Sequence, residues 1–90
     1  MTKQIYRTSA FKKDVRRMKK RNRDFKVFRQ IIQDIADGAG LEEKYRDHKL
    51  SGSFEGKREC HIEPDWLLIY ETEEDSLTLV RKGTHADLFR

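Results

Sequence analysis

Residues 57–62 and 66–71 have the pattern of two β-strands joined by a tight turn. Side chains of a strand point alternately to opposite faces, so Glu59 and His61 are expected on one face of the first strand. The Pro-Asp pair at 64–65 interrupts the pattern and turns the chain back. A hairpin of this kind requires a sheet around it, and the rest of the chain must supply the remaining layers.

Two amphipathic helices are predicted before this hairpin. Residues 4–8 favour a short strand, and Ser9 is placed to cap the helix that follows. The apolar stripe of this first helix consists of Phe11, Val15 and Met18. Asp24 stands where a second helix would be capped, and that helix ends at Gly38. Its apolar stripe consists of Phe28, Ile31, Ile32, Ile35 and Ala36.

The remaining segments complete an α+β prediction. Residues 41–56 are polar and favour a loop, whereas residues 77–82, after the acidic turn EEDS, favour a third strand of an antiparallel meander. The tail, residues 83–90, is expected to form a short turn of helix or a docked extension. We therefore predict a single domain over residues 1–90 with the order βααβββ. An antiparallel sheet is covered on one face by the pair of helices.

The charge is distributed unevenly along the chain. Residues 1–36 contain 12 Lys and Arg against 3 Asp and Glu, a net charge of +9, whereas residues 37–90 contain 8 against 13, a net charge of −5. Such a basic region indicates a polyanionic partner, RNA, DNA or an acidic protein segment, unless it is simply a solvated helix face.

Cysteine content and hydropathy bear on the compartment. Cys60 is the only cysteine, so no intramolecular disulfide can form, and the N-terminal residues lack the apolar segment of a secretory signal. The longest apolar run, residues 66–70, is too short to cross a bilayer. These features predict a cytoplasmic protein without a membrane anchor.

Three histidines and one aspartate are the candidate catalytic residues. His48, His61 and His85 belong to three separate elements, and a meander can bring them to one edge of the sheet together with Asp65. Imidazoles exchange protons near neutral pH, as metal-free cleavage of RNA through its 2′-hydroxyl requires. Taken singly, each histidine also fits a surface or hydrogen-bonding position, and Asp65 fits an ordinary turn.

Four basic residues are candidates for binding a phosphate at the same site. The basic residues that could stabilise a phosphate in the transition state are Lys44, Arg46, Arg58 and Arg81. Imidazole and carboxylate are also good zinc ligands, but the spacing of the three histidines and Asp65 matches no standard zinc motif, so no metal is predicted. Trp66 and Phe89 are expected either to stack on a base or to fill the core.

Two segments of the chain resemble a known family. YRDHKLSGSFEGKRECHIEPDWLLIY and VRKGTHADLF are similar to the YafQ branch of the RelE/ParE toxin superfamily, the endoribonucleases of type II toxin–antitoxin systems. The resemblance implies a RelE-like fold and a ribosome-dependent mRNA interferase that cleaves mRNA in the ribosomal A site without a metal or another cofactor. It also implies that His48, His61, Asp65 and His85 are catalytic. Trp66 and Phe89 then match aromatic residues that position the substrate.

The resemblance implies partners as well. These are the 70S ribosome with its mRNA and an acidic antitoxin of the ribbon-helix-helix type, with operator DNA bound only through the antitoxin complex. Two alternatives remain open from the sequence. One is a non-catalytic toxin of the same fold that inhibits gyrase, as in the ParE branch, and the other is a basic RNA-binding module, which would leave RNA intact.

Overall fold

The computed structural model describes residues 2–20, 25–63 and 65–88. The strands are β1 (Gln4–Arg7), β2 (His48–Lys49), β3 (Arg58–Glu63), β4 (Trp66–Thr72) and β5 (Ser76–Gly83). The helices are α1 (Ser9–Lys20), α2 (Lys26–Ala36) and α3 (His85–Leu88), and two short 3₁₀ turns, Glu43–Tyr45 and Gly52–Phe54, flank β2. The α+β class is confirmed. Within the described residues, no helix combines the length and hydrophobicity that a bilayer crossing requires.

The sheet is mixed, which corrects the prediction of a wholly antiparallel one. Its strand order is β1-β5-β4-β3-β2, and strands β2 to β5 pair antiparallel. Strand β1 instead pairs parallel with β5, with Gln4 opposite Ser76 and Arg7 opposite Leu79. Short turns force antiparallel neighbours, but β1 reaches the sheet through both helices, and so long a connection permits either direction. Strand β2 also lies within the segment expected to be loop.

Helix α1 is capped by Thr8, not by Ser9 as predicted. The Thr8 hydroxyl oxygen accepts a hydrogen bond from the Phe11 backbone N–H (3.0 Å) and donates its own hydrogen to the Val80 carbonyl (2.7 Å). Ser9 is already the first helical residue. One hydroxyl therefore satisfies a free helix N–H and ties α1 to β5, which Ser9 cannot do one position later. The predicted cap of α2, Asp24, lies outside the described residues.

Apolar residues cover both faces of the sheet. The larger cluster joins the helices to one face, and its buried members include Phe11, Met18, Phe28, Ile31, Ile35, Cys60, Leu68, Leu77 and Leu79. The smaller cluster, on other strand positions, contains Leu67, Ile69 and Leu88, with Leu50, Phe54 and Val80 packed against it. Leu88 thereby docks α3 on the sheet. The tail is both a short helix and a docked extension, and Phe89 lies outside the described residues.

Asp14 joins α1 to β5 through a buried carboxylate. The residue is 2% exposed, and its carboxylate accepts hydrogen bonds from Arg81 Nε (2.7 Å), Arg81 Nη2 (3.1 Å) and the Lys82 backbone N–H (3.0 Å). Arg17 Nη2 lies 2.9 Å from the same group. The hydrogen bond to Asp14 raises the pKa of Arg81. Arg81, whose phosphate contact stays a prediction, forms a structural ion pair, because its guanidinium neutralises a buried charge.

Candidate active site

The three histidines lie in one row at the end of the sheet where β3 turns into β4. The ring centroid of His61 is 6.1 Å from that of His48 and 5.7 Å from that of His85. Strand register explains the row. His61 pairs with Leu67, which also pairs with Gly83, so His85 emerges two residues later at the same end. The predicted juxtaposition of the histidines is therefore observed.

Asp65 contacts His85 twice. Its Oδ1 atom is 3.2 Å from His85 Nδ1 and 3.4 Å from the His85 backbone nitrogen, which donates a hydrogen bond to it. Because Nδ1 of His85 faces a carboxylate, Nε2 is the ring nitrogen that can exchange a proton with a substrate. Both side chains are open to solvent, 54% for His85 and 68% for Asp65. The pair therefore lies at the surface, where a large substrate can reach it.

A buried carboxylate in the row was not among the predicted site residues. Glu59 is 4% exposed, and its Oε1 atom lies 3.2 Å from His61 Nε2 and 3.4 Å from His48 Nε2. Glu59 precedes His61 by two residues, so the alternation of side chains along β3 predicts both on the same face. This alternation is the sequence signal that could have identified Glu59 as a site residue. The pairing of His48 with Glu59 across β2 and β3 was not visible, because β2 was expected to be loop.

His48 is held at both ring nitrogens. Nδ1 donates a hydrogen bond to the Arg46 carbonyl oxygen at 2.6 Å, and Nε2 faces Glu59. The preceding residue, Asp47, anchors this segment to the sheet, since its Oδ1 accepts hydrogen bonds from Tyr70 Oη (2.6 Å) and Arg58 Nε (3.1 Å). The hydrogen bond to Asp47 raises the pKa of Arg58. Arg58, a predicted phosphate contact, is thus bound to Asp47, where it supports the position of His48.

A groove of about 470 Å³ adjoins the central histidine. It is lined by Val27, Lys44, Tyr45, Arg46, His61, Ile62 and Glu63. Lys44 and Arg46, both predicted to stabilise a phosphate, therefore share one cavity with His61. The Lys44 ammonium lies 3.5 Å from Glu42, whose charge raises the pKa of Lys44. Of the four predicted cations, Lys44 and Arg46 line this groove, whereas Arg58 and Arg81 are bound to aspartates.

Of the two aromatic residues predicted to contact the substrate, only Trp66 lies within the described part of the chain. Trp66 is 3% exposed and belongs to the helix-side core, so its ring does not present a stacking face to a base. The core interpretation of Trp66 is therefore the one that the structure supports, because the first position of β4 points toward the helices. Phe89 lies outside the described residues, and its predicted role stays a prediction.

Glu59, His61 and His85 also form a group of possible metal ligands. One donor atom from each residue can be chosen such that all three lie within 4.8 Å of one another. Glu59 and His61 are two residues apart on β3, and His85 follows β5, so only the pairing of the strands brings the three together. Imidazole nitrogen and carboxylate oxygen together are a donor set suited to zinc and copper.

Known proteins resemble this chain over nearly its whole length. The mRNA interferase toxin YafQ of Escherichia coli (strain K12) is 37% identical over 83 residues, which cover 91% of this chain and 90% of that protein. The toxin chain in the E. coli DinJ-YafQ toxin-antitoxin complex superposes with a TM-score of 0.91 at 35% identity and full coverage of both chains. A metal-bound toxin from Helicobacter pylori superposes with a TM-score of 0.90 at 37% identity, covering 99% of this chain and 100% of that one.

A family model spans the described fold and the site. The model for the bacterial toxin of type II toxin-antitoxin system, YafQ, matches residues 3–90. This match includes the histidine row, Asp65 and all three described helices. The chain therefore belongs to the YafQ family of bacterial type II toxin–antitoxin toxins.

Proposed function

We propose that this toxin is an mRNA interferase, a metal-free endoribonuclease that cleaves mRNA in the A site of the 70S ribosome and so stops translation. The relatives named mRNA interferase toxins support the activity. The observation that carries the proposal is the row of three imidazoles, with His61 at 6.1 Å and 5.7 Å from its neighbours, beside a groove lined by Lys44 and Arg46. No simple RNA-binding surface requires such a row.

The reaction uses the RNA's own 2′-hydroxyl as nucleophile. His61 removes the proton of the 2′-hydroxyl, the 2′-oxygen bonds to phosphorus, and the bond from phosphorus to the 5′-oxygen breaks. His48, whose two ring nitrogens are both engaged, stabilises the developing charge. His85 donates a proton to the departing 5′-oxygen, with Asp65 holding its ring through Nδ1. Lys44 and Arg46 stabilise the negative charge that develops on the phosphate oxygens. The products are a 2′,3′-cyclic phosphate and a 5′-hydroxyl end.

The openness of the site supports dependence on the ribosome. His85 and Asp65 are more than half exposed, and the groove beside His61 has a volume of only about 470 Å³. Aligning the 2′-oxygen, phosphorus and 5′-oxygen in a line requires the RNA to be held rigidly, and such positioning accounts for a large part of catalysis. The ribosome supplies that positioning. Exposed cations of α1, Lys12, Lys13, Arg16 and Lys19, are suited to contact ribosomal RNA.

A second groove supports an acidic antitoxin as partner. It has a volume of about 400 Å³ and lies between α1, α2 and the sheet. Its apolar lining consists of Phe11, Val15, Phe28, Ile32 and Leu79. Its basic lining consists of Arg7, Lys12, Arg16, Lys19 and Arg29, with no acidic residue among the described ones. An amphipathic acidic segment matches both properties, whereas nucleic acid would not use the apolar floor.

The E. coli relative forms a complex with the antitoxin DinJ, which supports a protein partner of this kind. The antitoxin of this chain is of the ribbon-helix-helix type, and operator DNA is bound only through the antitoxin complex. Free toxin acts in the cytoplasm, where its mRNA and ribosomes are found.

Cleavage mapping tests the proposed activity. A defined mRNA is incubated in EDTA with the purified toxin, with and without 70S ribosomes, and the new ends are mapped and their chemistry determined. We expect cuts only with ribosomes, a 5′-hydroxyl at each cut, and loss of cutting in His85→Gln. Asp75→Asn, in the opposite hairpin turn, is the matched control and should cut normally. Intact mRNA in every reaction would overturn the proposal and favour gyrase inhibition or simple RNA binding.

A further inference from the structure

We propose that Asp87 is a positioning residue of this toxin, which fixes the place of His85 by closing the N-terminus of α3. Asp87 lies two residues after His85, and its side chain is 14% exposed. The carboxylate acts through the backbone that carries His85 and not on the RNA. This role rests on the proposed function, because His85 is the proton donor of the cleavage reaction there.

Thr84 and Asp87 form a reciprocal pair of hydrogen bonds around the start of α3. The Thr84 hydroxyl oxygen accepts a hydrogen bond from the Asp87 backbone N–H (3.2 Å), and Asp87 Oδ2 accepts one from the Thr84 backbone N–H (3.1 Å). This arrangement is a capping box, in which the residue before a helix and the third helical residue satisfy each other's backbone N–H groups. His85 is the first residue of α3, so both hydrogen bonds enclose it.

Helix α3 depends on its ends because it is only four residues long. A single helical turn is marginal in water, since ordering its backbone costs more than one hydrogen bond returns. The Leu88 backbone N–H donates to the Thr84 carbonyl oxygen (3.1 Å), and the Leu88 side chain docks on the sheet with 8% of its surface exposed. The capping box at one end and Leu88 at the other therefore hold the turn that carries His85.

Gly83, the last residue of β5, provides the space that Asp87 occupies. A Cβ atom at residue 83 would lie 3.0 Å from both Cβ and Oδ2 of Asp87. Carbon atoms in favourable contact are about 3.5–4.0 Å apart, so a larger side chain here would displace the carboxylate. Because glycine has no Cβ, the end of β5 can approach Asp87 closely. The chain that leads into His85 is thus shaped to receive this side chain.

Asp87 has a second contact, which is an ion pair. Arg17 Nη2 lies 3.8 Å from Asp87 Oδ2, but the Arg17 side chain is 41% exposed and is closer to Asp14, at 2.9 Å. Exposed ion pairs contribute little to stability, whereas the loss of a helix cap has a measurable effect. The hydrogen bond to Thr84 should therefore matter more than the charge. Asparagine, which keeps an oxygen acceptor, should replace Asp87 well.

Single-turnover cleavage on programmed ribosomes tests this order of effects. We expect Asp87→Ala to lower kcat per folded molecule by about 3- to 30-fold, the factor that corresponds to a lost helix cap, with KM changed by no more than about twofold. Asp87→Asn should stay within about threefold of the unaltered toxin. Asp75→Ala, in the turn between β4 and β5, is the matched control and should cut normally. Equal rates for Asp87→Ala and Asp75→Ala, or equal losses in Asp87→Asn and Asp87→Ala, would overturn the proposal.

Nuclear magnetic resonance of the untagged toxin without RNA tests the position of His85 directly. The chain has three histidines, so each ring can be followed by its own proton–carbon signal. We expect the His85 signal to shift or broaden in Asp87→Ala but not in Asp87→Asn, and the His48 signal to stay in both. An unchanged His85 signal in Asp87→Ala, or the same shift in both variants, would overturn the positioning role. If the unaltered toxin does not cleave, the proposed function fails, while these signals still decide whether Asp87 holds His85.

Discussion

Glu59 Oε1 lies 3.2 Å from His61 Nε2, although Glu59 is almost completely buried and His61 faces a groove open to solvent. The same oxygen is 3.4 Å from His48 Nε2. One carboxylate of β3 therefore connects two imidazoles from neighbouring strands and fixes their relative position. Glu59 is a positioning residue in this arrangement, because it contacts the histidines and not the groove.

Replacing Glu59 by Gln should slow cleavage by about 10- to 100-fold, the effect of losing a hydrogen bond to a charged group. The amide keeps the shape of the side chain but loses the negative charge that holds both imidazoles. Because Glu59 does not line the groove, we expect kcat to fall with KM nearly unchanged. Single-turnover kinetics on programmed ribosomes measure this split. If the loss of activity is fully explained by a larger fraction of unfolded protein, with kcat per folded molecule unaltered, the positioning role is contradicted.

The Asp65–His85 pair predicts a graded loss of activity. His85→Gln removes the proton donor and should cost about 10²- to 10⁴-fold in cleavage rate. Asp65→Asn should cost only about two- to fivefold, because ion pairs as exposed as this one contribute little. Initial rates for both variants on the same mRNA provide the comparison. A larger loss in Asp65→Asn than in His85→Gln would mean that Asp65 itself transfers a proton.

Asp14→Asn should lower the free energy of unfolding by about 1–3 kcal/mol. The substitution removes the charge that binds Arg81 and Arg17 and leaves the Arg81 guanidinium without its hydrogen-bonded carboxylate at the α1–β5 contact. Asp34→Asn, on α2, serves as the control, since a half-exposed aspartate should change stability by no more than about 0.5 kcal/mol. Urea denaturation measures both values. Equal stability of the two variants would show that the buried ion pair contributes nothing.

Burial raises the pKa of the Cys60 thiol to about 12. At pH 8 the folded protein should therefore react with iodoacetamide only after unfolding, because the thiolate is the nucleophile. As pH rises from about 9 to 12 the thiol ionises in the unfolded chain first, so its contribution to stability is lost across that interval. Mass spectrometry after labelling in 0 to 8 M urea, a range chosen around typical midpoints, follows the reaction. Rapid labelling of native protein would contradict the buried, protonated state.

Charge reversal on α1 tests the groove assigned to the antitoxin. Arg16→Glu places a negative charge among the basic lining residues and should weaken binding of the cognate antitoxin about tenfold, mainly through slower association. Lys13→Glu makes the same change in net charge on the same helix but outside this groove. Surface plasmon resonance at two salt concentrations compares them. Equal effects of the two substitutions would indicate general electrostatic attraction rather than docking in the groove.

Local patterns predicted much of the site. The β3–β4 hairpin, the two helices and the third strand of the meander follow from alternation, helical stripes and turn residues, which depend on near neighbours in the chain. Those elements were enough to place His61, Asp65 and His85 at one end of the sheet. The same alternation placed Glu59 beside His61, although its contact with His48 required the pairing of β2.

Features that depend on contacts between distant segments of the chain were visible only in the tertiary structure. The parallel pairing of β1, the capping of α1 by Thr8 and the burial of Trp66 all depend on segments far away in the chain. The partners of charged groups are also of this kind, since Arg81 became the counterion of Asp14, 67 residues away. The sequence by itself determined the secondary structure apart from β2, and it determined the residue types available for catalysis. Which charged side chains are paired inside the protein and which line a groove depends on the tertiary structure. A buried charge is paired with a counterion on the element that packs against it, and that element can be far away in the chain.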